Sequence, residues 1–367
     1  MSVRIAIHNR PDSWSVKWLE YCRSHEIDHE VVNCYDCNIM TTLRRFDGLL
    51  WHFDHWLGED LLMARHVVRA AEQMGLAVFP NTATCWHFDD KLAQKYLLES
   101  VGAPLVPTYA FFHESDALEW LRGAAYPLVA KLRRGAGSYN VRLLRDYAHA
   151  ARYCSRAFGR GFSPVPGYLA DVGTKVRKVS SPGDFMRGLR RLPGYFRAVL
   201  HGKRSLPCEK GYALFQEFLC GNTFDTRIAV VGSRAWGFTR NVRQGDWRAS
   251  GSGSIDYDLR RIDMECVRTA FATTGAIGAQ SMCFDFVRGA GGKPFMVEIS
   301  YAYQNDAIYK CEGYWDPELR WHEGRMWPEH AILNDFLRLL DERPRRGVQA
   351  WTPGPGTPGK SGQEGKT

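Results

Sequence analysis

The hydrophobic positions fall into two rhythms along the chain. Short apolar runs at Val3–His8, His29–Asn33, Phe46–His52 and Leu76–Phe79 read as β-strands. Between them, Asp12 and Ser13 can cap a helix running to about Ser24. Residues 59–74 read as a helix carrying apolar Leu61, Leu62, Val67, Val68 and Ala71. This alternation over residues 1–85 predicts a small parallel sheet covered by helices. Beyond it, residues 88–101 read as a helix that Gly102 closes before Pro104. Tyr126–Lys131 and Val141–Leu144 read as strands around a small-residue loop, and Leu214–Leu219 as a strand or hinge. Thr226–Val231 and Ala235–Thr239 predict a hairpin across Gly232 and Ser233, and a helix follows from about Tyr257 to Thr274. Residues 329–341 carry the periodicity of a terminal amphipathic helix.

The runs Phe284–Val287 and Phe295–Ser300 flank a glycine-rich turn and read as paired strands. Each carries one carboxylate among apolar neighbours, Asp285 and Glu298. A buried carboxylate is costly unless it is paired or holds a metal. Two that converge suit a hard cation such as Mg²⁺ beside a phosphate. Taken alone, the pair reads more simply as strand-edge acids in solvated ion pairs.

Composition narrows the class. At 367 residues, 45% of them apolar, the chain suits two or three packed domains. It has no run of about 18 apolar residues, and its start lacks the long apolar stretch of an export signal. The ten cysteines are irregularly spaced and read as reduced thiols, so a cytoplasmic protein is expected. Cys34 and Cys37 form a CxxC without a second pair at zinc spacing. The net charge of +8 favours anionic partners. From Asp171 to Gly211 ten Lys or Arg face three acids, which reads as a basic surface or as an insertion of about 155–210 that takes an anionic substrate. No nucleic-acid module is recognisable, so nucleic acid is not an expected partner. A homo-oligomer is compatible with these features. From Arg343 onward the chain reads as a disordered tail.

Two motif matches fail on context. Gly354–Ser361 satisfies GxxxxGK[ST], but two prolines interrupt it and no helix can follow. His25–His29 satisfies HExxH, but the helix ends before it and a strand begins within it. The credible chemistry is distributed. Lys91 lies at a helix start and Lys131 at a strand end. Gly135, Gly137 and Ser138 sit in a loop whose amides can close over anionic oxygens. Gln216, Glu217 and Leu219 can present backbone to a flat heterocycle. Beside Asp225, the residues Arg227, Arg240 and Arg248 place guanidiniums, which suit carboxylate and phosphate, upstream of the two acids.

In this order the pieces resemble the ATP-grasp superfamily of carboxylate–amine ligases, most closely the glutathione synthetase and ribosomal-protein glutamate ligase branch. The similarity covers residues from about 85 to 305. It implies a mixed α/β (α+β) fold, with two α+β subdomains clasping ATP behind a small parallel-sheet α/β domain. The implied boundaries are 1–84, 85–215 and 216–342, followed by the tail 343–367. It further implies that Lys91, Lys131, Gly135, Gly137 and Ser138 meet the phosphates. Gln216, Glu217 and Leu219 would meet adenine, and Asp225 the ribose or the substrate. Arg227, Arg240 and Arg248 would steady the carboxylate and the transferring phosphoryl. Asp285, Glu298 and Ser300 would hold Mg²⁺, with Mn²⁺ as a substitute. The branch has Asn where this chain has Ser300, a shorter and poorer ligand. The implied reaction forms an amide through an acyl phosphate, on a peptide, amino acid or glycan precursor. The competing reading is an ATP-binding regulator or scaffold of the same fold with weakened catalysis.

Overall fold

A computed structural model describes residues 3–54, 57–134, 140–162, 208–243, 245, 247–248 and 254–343. Gly135, Gly137 and Ser138, most of the basic segment, the Gly354–Ser361 stretch and the tail from residue 344 lie outside the described residues.

The first strands, β1 (Ile5–His8), β2 (His29–Val32), β3 (Gly48–Leu50) and β4 (Ala77–Phe79), form the expected parallel sheet in the order β2-β1-β3-β4. All four β1 residues are buried, as a sheet covered on both faces requires. Helices α1 (Ser15–Ser24), α2 (Ile39–Leu43) and α3 (Gly58–Gln73) connect its strands. The expected cap of α1 is not made. Trp14 occupies the cap position without a side-chain bond, because the Ser13 hydroxyl is engaged 3.0 Å from Nδ1 of His52. The helix ends at Ser24 and β2 opens at His29, so the HExxH histidines share no helical face.

A short helix α4 (Thr82–Cys85) leads to α5 (Lys91–Ser100), which starts later than the periodicity suggests. Asp89 takes a left-handed conformation (φ +51°) that breaks the helix, and Asp90 then caps α5 by accepting from the Ala93 amide. Next come β5 (Thr108–Phe111), α6 (Glu114–Gly123), β6 (Leu128–Lys131), β7 (Val141–Leu144), α7 (Tyr147–Phe158) and β8 (Ala213–Glu217). Their strands form an antiparallel sheet ordered β5-β8-β6-β7.

The third sheet is built from β9 (Phe224–Val231), β10 (Arg234–Asn241), β11 (Ile255–Asp256), β12 (Ser281–Arg288), β13 (Pro294–Ser300), β14 (Gly313–Trp315) and β15 (Trp321–Glu323). Its order is β13-β12-β9-β10-β14-β15, with β11 on β10. The hairpin β9–β10 turns at Gly232 and Ser233 as expected. Helix α8 (Met264–Ile277) begins seven residues later than the expected Tyr257. Side chains of Asp256, Asp258 and Asp263 accept from nearby backbone amides, and these local turns compete with helix until Asp263 caps it. Gly278, at φ +72°, closes α8 in the left-handed conformation. Helices α9 (Asn305–Tyr309) and α10 (Pro328–Glu342) complete the described residues.

Three apolar clusters hold these layers. One joins the N-terminal sheet and α3 to α8 and the seven-stranded sheet, through residues such as Trp51, Phe53, Phe284 and Tyr301. A second joins α1 and β1 to α10, through Trp18, Phe79, Trp236 and Phe336. The third belongs to the sheet β5-β8-β6-β7 with α6 and α7 alone. Among the described residues no helix is long and apolar enough to cross a membrane.

Candidate functional site

A cavity of about 320 Å³ lies between the sheet β5-β8-β6-β7 and the seven-stranded sheet. That is the size range of small-molecule sites. Its lining changes character along its length. Val106, Val129, Val141, Phe224 and Val287 make an apolar slot, and Lys91, Lys131, Asp285 and Glu298 make a charged end.

The hinge after β8 borders the slot. The Gln216 side chain does not face a ligand freely, because its amide donates to the Thr108 hydroxyl at 2.9 Å. Glu217 likewise accepts from the Tyr109 hydroxyl at 3.0 Å. What these residues offer the cavity is therefore largely backbone. Asn222, which the motif reading passes over, locks the hinge in place. Its amide nitrogen donates to the carbonyls of Leu219 and Arg288, both at 3.0 Å, and its oxygen accepts from the Arg288 amide at 2.8 Å. Phe218 and Trp247 meet edge to face at 5.6 Å and line the same cavity. Only the bulk of Trp247, within the Gly-Asp-Trp-Arg block, hints at this in the sequence.

At the charged end, the N-terminal turn of α5 places Lys91 3.1 Å from Glu298. The Lys91 amide also bonds the Arg133 carbonyl at 2.9 Å, tying the helix start to the root of the 133–140 segment. Lys131 is 5% exposed and donates to the Val297 carbonyl at 3.1 Å. Burial lowers its pKa to about 8, with Glu298 opposing and Lys91 reinforcing the shift. Burial opposes the Lys91 charge too, but Glu298, Asp89 and Asp90 together outweigh it and raise its pKa. A β-bulge at Val297 follows the Asp285–Glu298 cross-strand pair, so the strand is re-aimed where it meets the cavity.

Arg227 of β9, Asp285 of β12 and Glu298 of β13 form a row across three strands. Asp285 accepts from Arg227 Nε and Nη2 at 2.7 and 2.8 Å, and from Arg240 Nη2 at 2.8 Å. Arg240 also grips both oxygens of Asp225. Burial disfavours the Asp285 anion, yet the two guanidiniums outweigh it and hold the carboxyl well below the usual range. Arg248 lines the cavity, whereas Arg227 and Arg240 do not.

The three residues expected to hold a metal ion are unequal. Glu298 has a side chain 33% exposed toward the cavity and meets one ammonium. Asp285 is committed to two guanidiniums. Ser300 does not line the cavity, and its hydroxyl donates to the Ala302 carbonyl at 2.8 Å. As they stand, the three do not make a ligand set. Among the described residues no group of three or more His, Cys, Asp or Glu is arranged to hold a metal ion.

No family model matches the chain, and no curated protein matches it in sequence. Solved structures do match its fold. A RimK domain ATP-grasp protein from Sphaerobacter thermophilus superposes with a TM-score of 0.53 at 13% identity, covering 92% of this chain and 100% of that one. D-alanine–D-alanine ligase from Bacillus anthracis, in complex with ATP, gives 0.53 at 11% identity over 93% and 99%. The biotin carboxylase domain of Hydrogenobacter thermophilus 2-oxoglutarate carboxylase, with MgADP and bicarbonate, gives 0.57 at 13% over 95% and 71%.

The chain has the ATP-grasp fold. In this fold the cavity occupies the cleft between the two antiparallel sheets. The cleft gathers Lys91, Lys131, Gln216, Glu217, Leu219, Asp225, Arg248, Asp285 and Glu298 of the expected residues, and leaves Arg227, Arg240 and Ser300 outside its lining.

Proposed function

We propose that the protein is an ATP-dependent ligase that joins a carboxylate to an amine. The observation that carries this reading is one cavity with two ends. An apolar slot beside a backbone hinge suits a purine, and two buried lysines beside Glu298 suit a triphosphate. Solved structures of the same fold with ATP or MgADP support ATP, brought in with Mg²⁺, as the nucleotide.

In the proposed reaction, a carboxylate oxygen of the acid substrate attacks the γ-phosphorus of ATP. The bond to the β-phosphate oxygen breaks, and ADP leaves with that electron pair. The amine nitrogen then attacks the acyl carbon, inorganic phosphate departs, and the nitrogen loses a proton to give the amide. The hinge backbone, Phe218 and Trp247 hold the base. Lys91 and Lys131 offset phosphate charge, and Arg248 reaches the transferring group. Charge stabilisation and positioning are what phosphoryl transfer asks of a protein, so no protein nucleophile is needed. An anionic acid or amine substrate is proposed for the basic segment 171–210, and a peptide, amino acid or glycan precursor for the acceptor class.

The test is incubation with ATP, Mg²⁺ and pooled metabolites, with mass spectrometry for products formed by loss of water and a coupled assay for ADP. Condensation products and ADP are expected together. Nucleotide binding without ADP release across a broad acid and amine panel would overturn the reading. Lys131→Met is expected to lower ADP formation by about 10²-fold or more, the scale of losing one charge-stabilising donor.

A further inference from the structure

Asp225, Arg240, Asp285 and Arg227 form a chain of alternating charge across three adjacent strands. A carboxylate offers about four lone-pair positions. Asp285 Oδ2 accepts two guanidinium hydrogens and Oδ1 accepts one, so a single position remains. Two acids and two guanidiniums also leave the cluster neutral, and a divalent cation at that last position would meet both arginines. Glu298, its cross-strand neighbour, meets one ammonium and is the more exposed of the two, at 33% against 10%.

We propose that these four side chains act as one charge-balanced brace that withholds Asp285 from divalent metal, leaving Glu298 the single protein carboxylate on the nucleotide's cation. This rests on the nucleotide-binding reading above. Arg227 and Arg240 are then positioning residues, consistent with their place behind the cavity lining, and Arg248 is the guanidinium that meets the reacting groups. Ser300 follows the same logic. Its hydroxyl is spent on the Ala302 carbonyl, so it too is withheld from the cation.

Mn²⁺ with ADP is the probe, with bound Mn²⁺ read by electron paramagnetic resonance and bound ADP by equilibrium dialysis. Glu298→Gln is expected to weaken Mn²⁺ binding to the protein–ADP complex by about tenfold or more, since losing even an outer-shell partner of a metal ligand costs that much. Asp285→Asn is expected to change it by less than about threefold while lowering ADP formation. Arg227→Gln, which frees an oxygen of Asp285, is expected to tighten Mn²⁺ binding, and it carries the test if Asp285→Asn does not fold. Equal losses in Asp285→Asn and Glu298→Gln, or unchanged or weaker Mn²⁺ binding in Arg227→Gln, overturn this inference alone. Absence of ADP binding by the wild-type protein overturns the ligase reading and this inference with it.

Discussion

Lys131 shows how burial sets the behaviour of a single group. Its ordinary value of 10.5 falls to about 8, so between those values the folded chain binds fewer protons than the unfolded one. Stability attributable to this lysine therefore rises with pH across that window, by about 3 kcal/mol in all. Nucleotide affinity runs the opposite way, because phosphate needs the ammonium form. ADP binding should weaken several-fold as pH rises past about 8, and titration calorimetry on Lys131→Met should lack that dependence. Glu329 gives the reverse case in the fold rather than the site. Its side chain is fully buried, with Asn305 donating to one oxygen and no partner on the other among the described residues. Burial raises its pKa from 4.5 to about 7, so the folded chain holds this proton more tightly than the unfolded one. Stability falls as pH rises through that interval. Glu329→Gln should remove the slope and add about 2–3 kcal/mol at pH 8, as read by urea unfolding across pH. Neither effect is legible in the sequence. The identity of a lysine or glutamate says nothing of its burial, and the partners that set these shifts lie far away in the chain.

At the scale of elements, most of what the hydrophobic rhythm predicts is present, because alternation and helical spacing are local properties. The parallel sheet, the β9–β10 hairpin and the strand pair carrying Asp285 and Glu298 all lie where the pattern puts them. The starts of α1, α5 and α8 differ from the reading, and in each case a side-chain bond decides. Ser13 is drawn to His52 from a distant strand end, whereas Asp90 and Asp263 cap later than the apolar pattern begins. The candidate site was partly legible. The order of lysines, hinge, arginines and acids is written along the chain, but which acid is free and which is braced depends on Arg227 facing Asp285 across two strands. One packing contact between elements is sharp enough to test. A β-carbon on Gly48 of β3 would come 2.5 Å from the Phe336 ring of α10. Gly48→Ala should cost about 1–3 kcal/mol by overpacking, and Phe336→Leu in the same chain should recover part of it, as measured by urea unfolding.

Across the whole molecule, the cores divide differently from the order of segments in the sequence. The N-terminal sheet shares both of its apolar clusters with the C-terminal sheet and helices, and Trp18 and Tyr21 bond residues of α10 directly. The sheet β5-β8-β6-β7 has a core of its own. Hydrogen exchange should therefore resolve two cooperative units, one containing residues 108–158 with β8 and one joining the two ends of the chain. The cavity lies along the seam between them, so nucleotide should slow exchange in both.

Helix α10 has a consequence for how the protein is made. During synthesis β1 to β4 leave the ribosome before α10, and domains ordinarily begin to fold in chain order. Here the sheet waits for α10, the final helix of the described chain, to seat Phe336 on Gly48 and to receive the bond from Trp18. Until then the face that α10 covers should stay open, and the N-terminal sheet should not be a finished unit. Arrested chains ending before Pro328 should stay sensitive to protease across residues 3–84. Chains released at full length should become resistant there and in the seven-stranded sheet at the same moment.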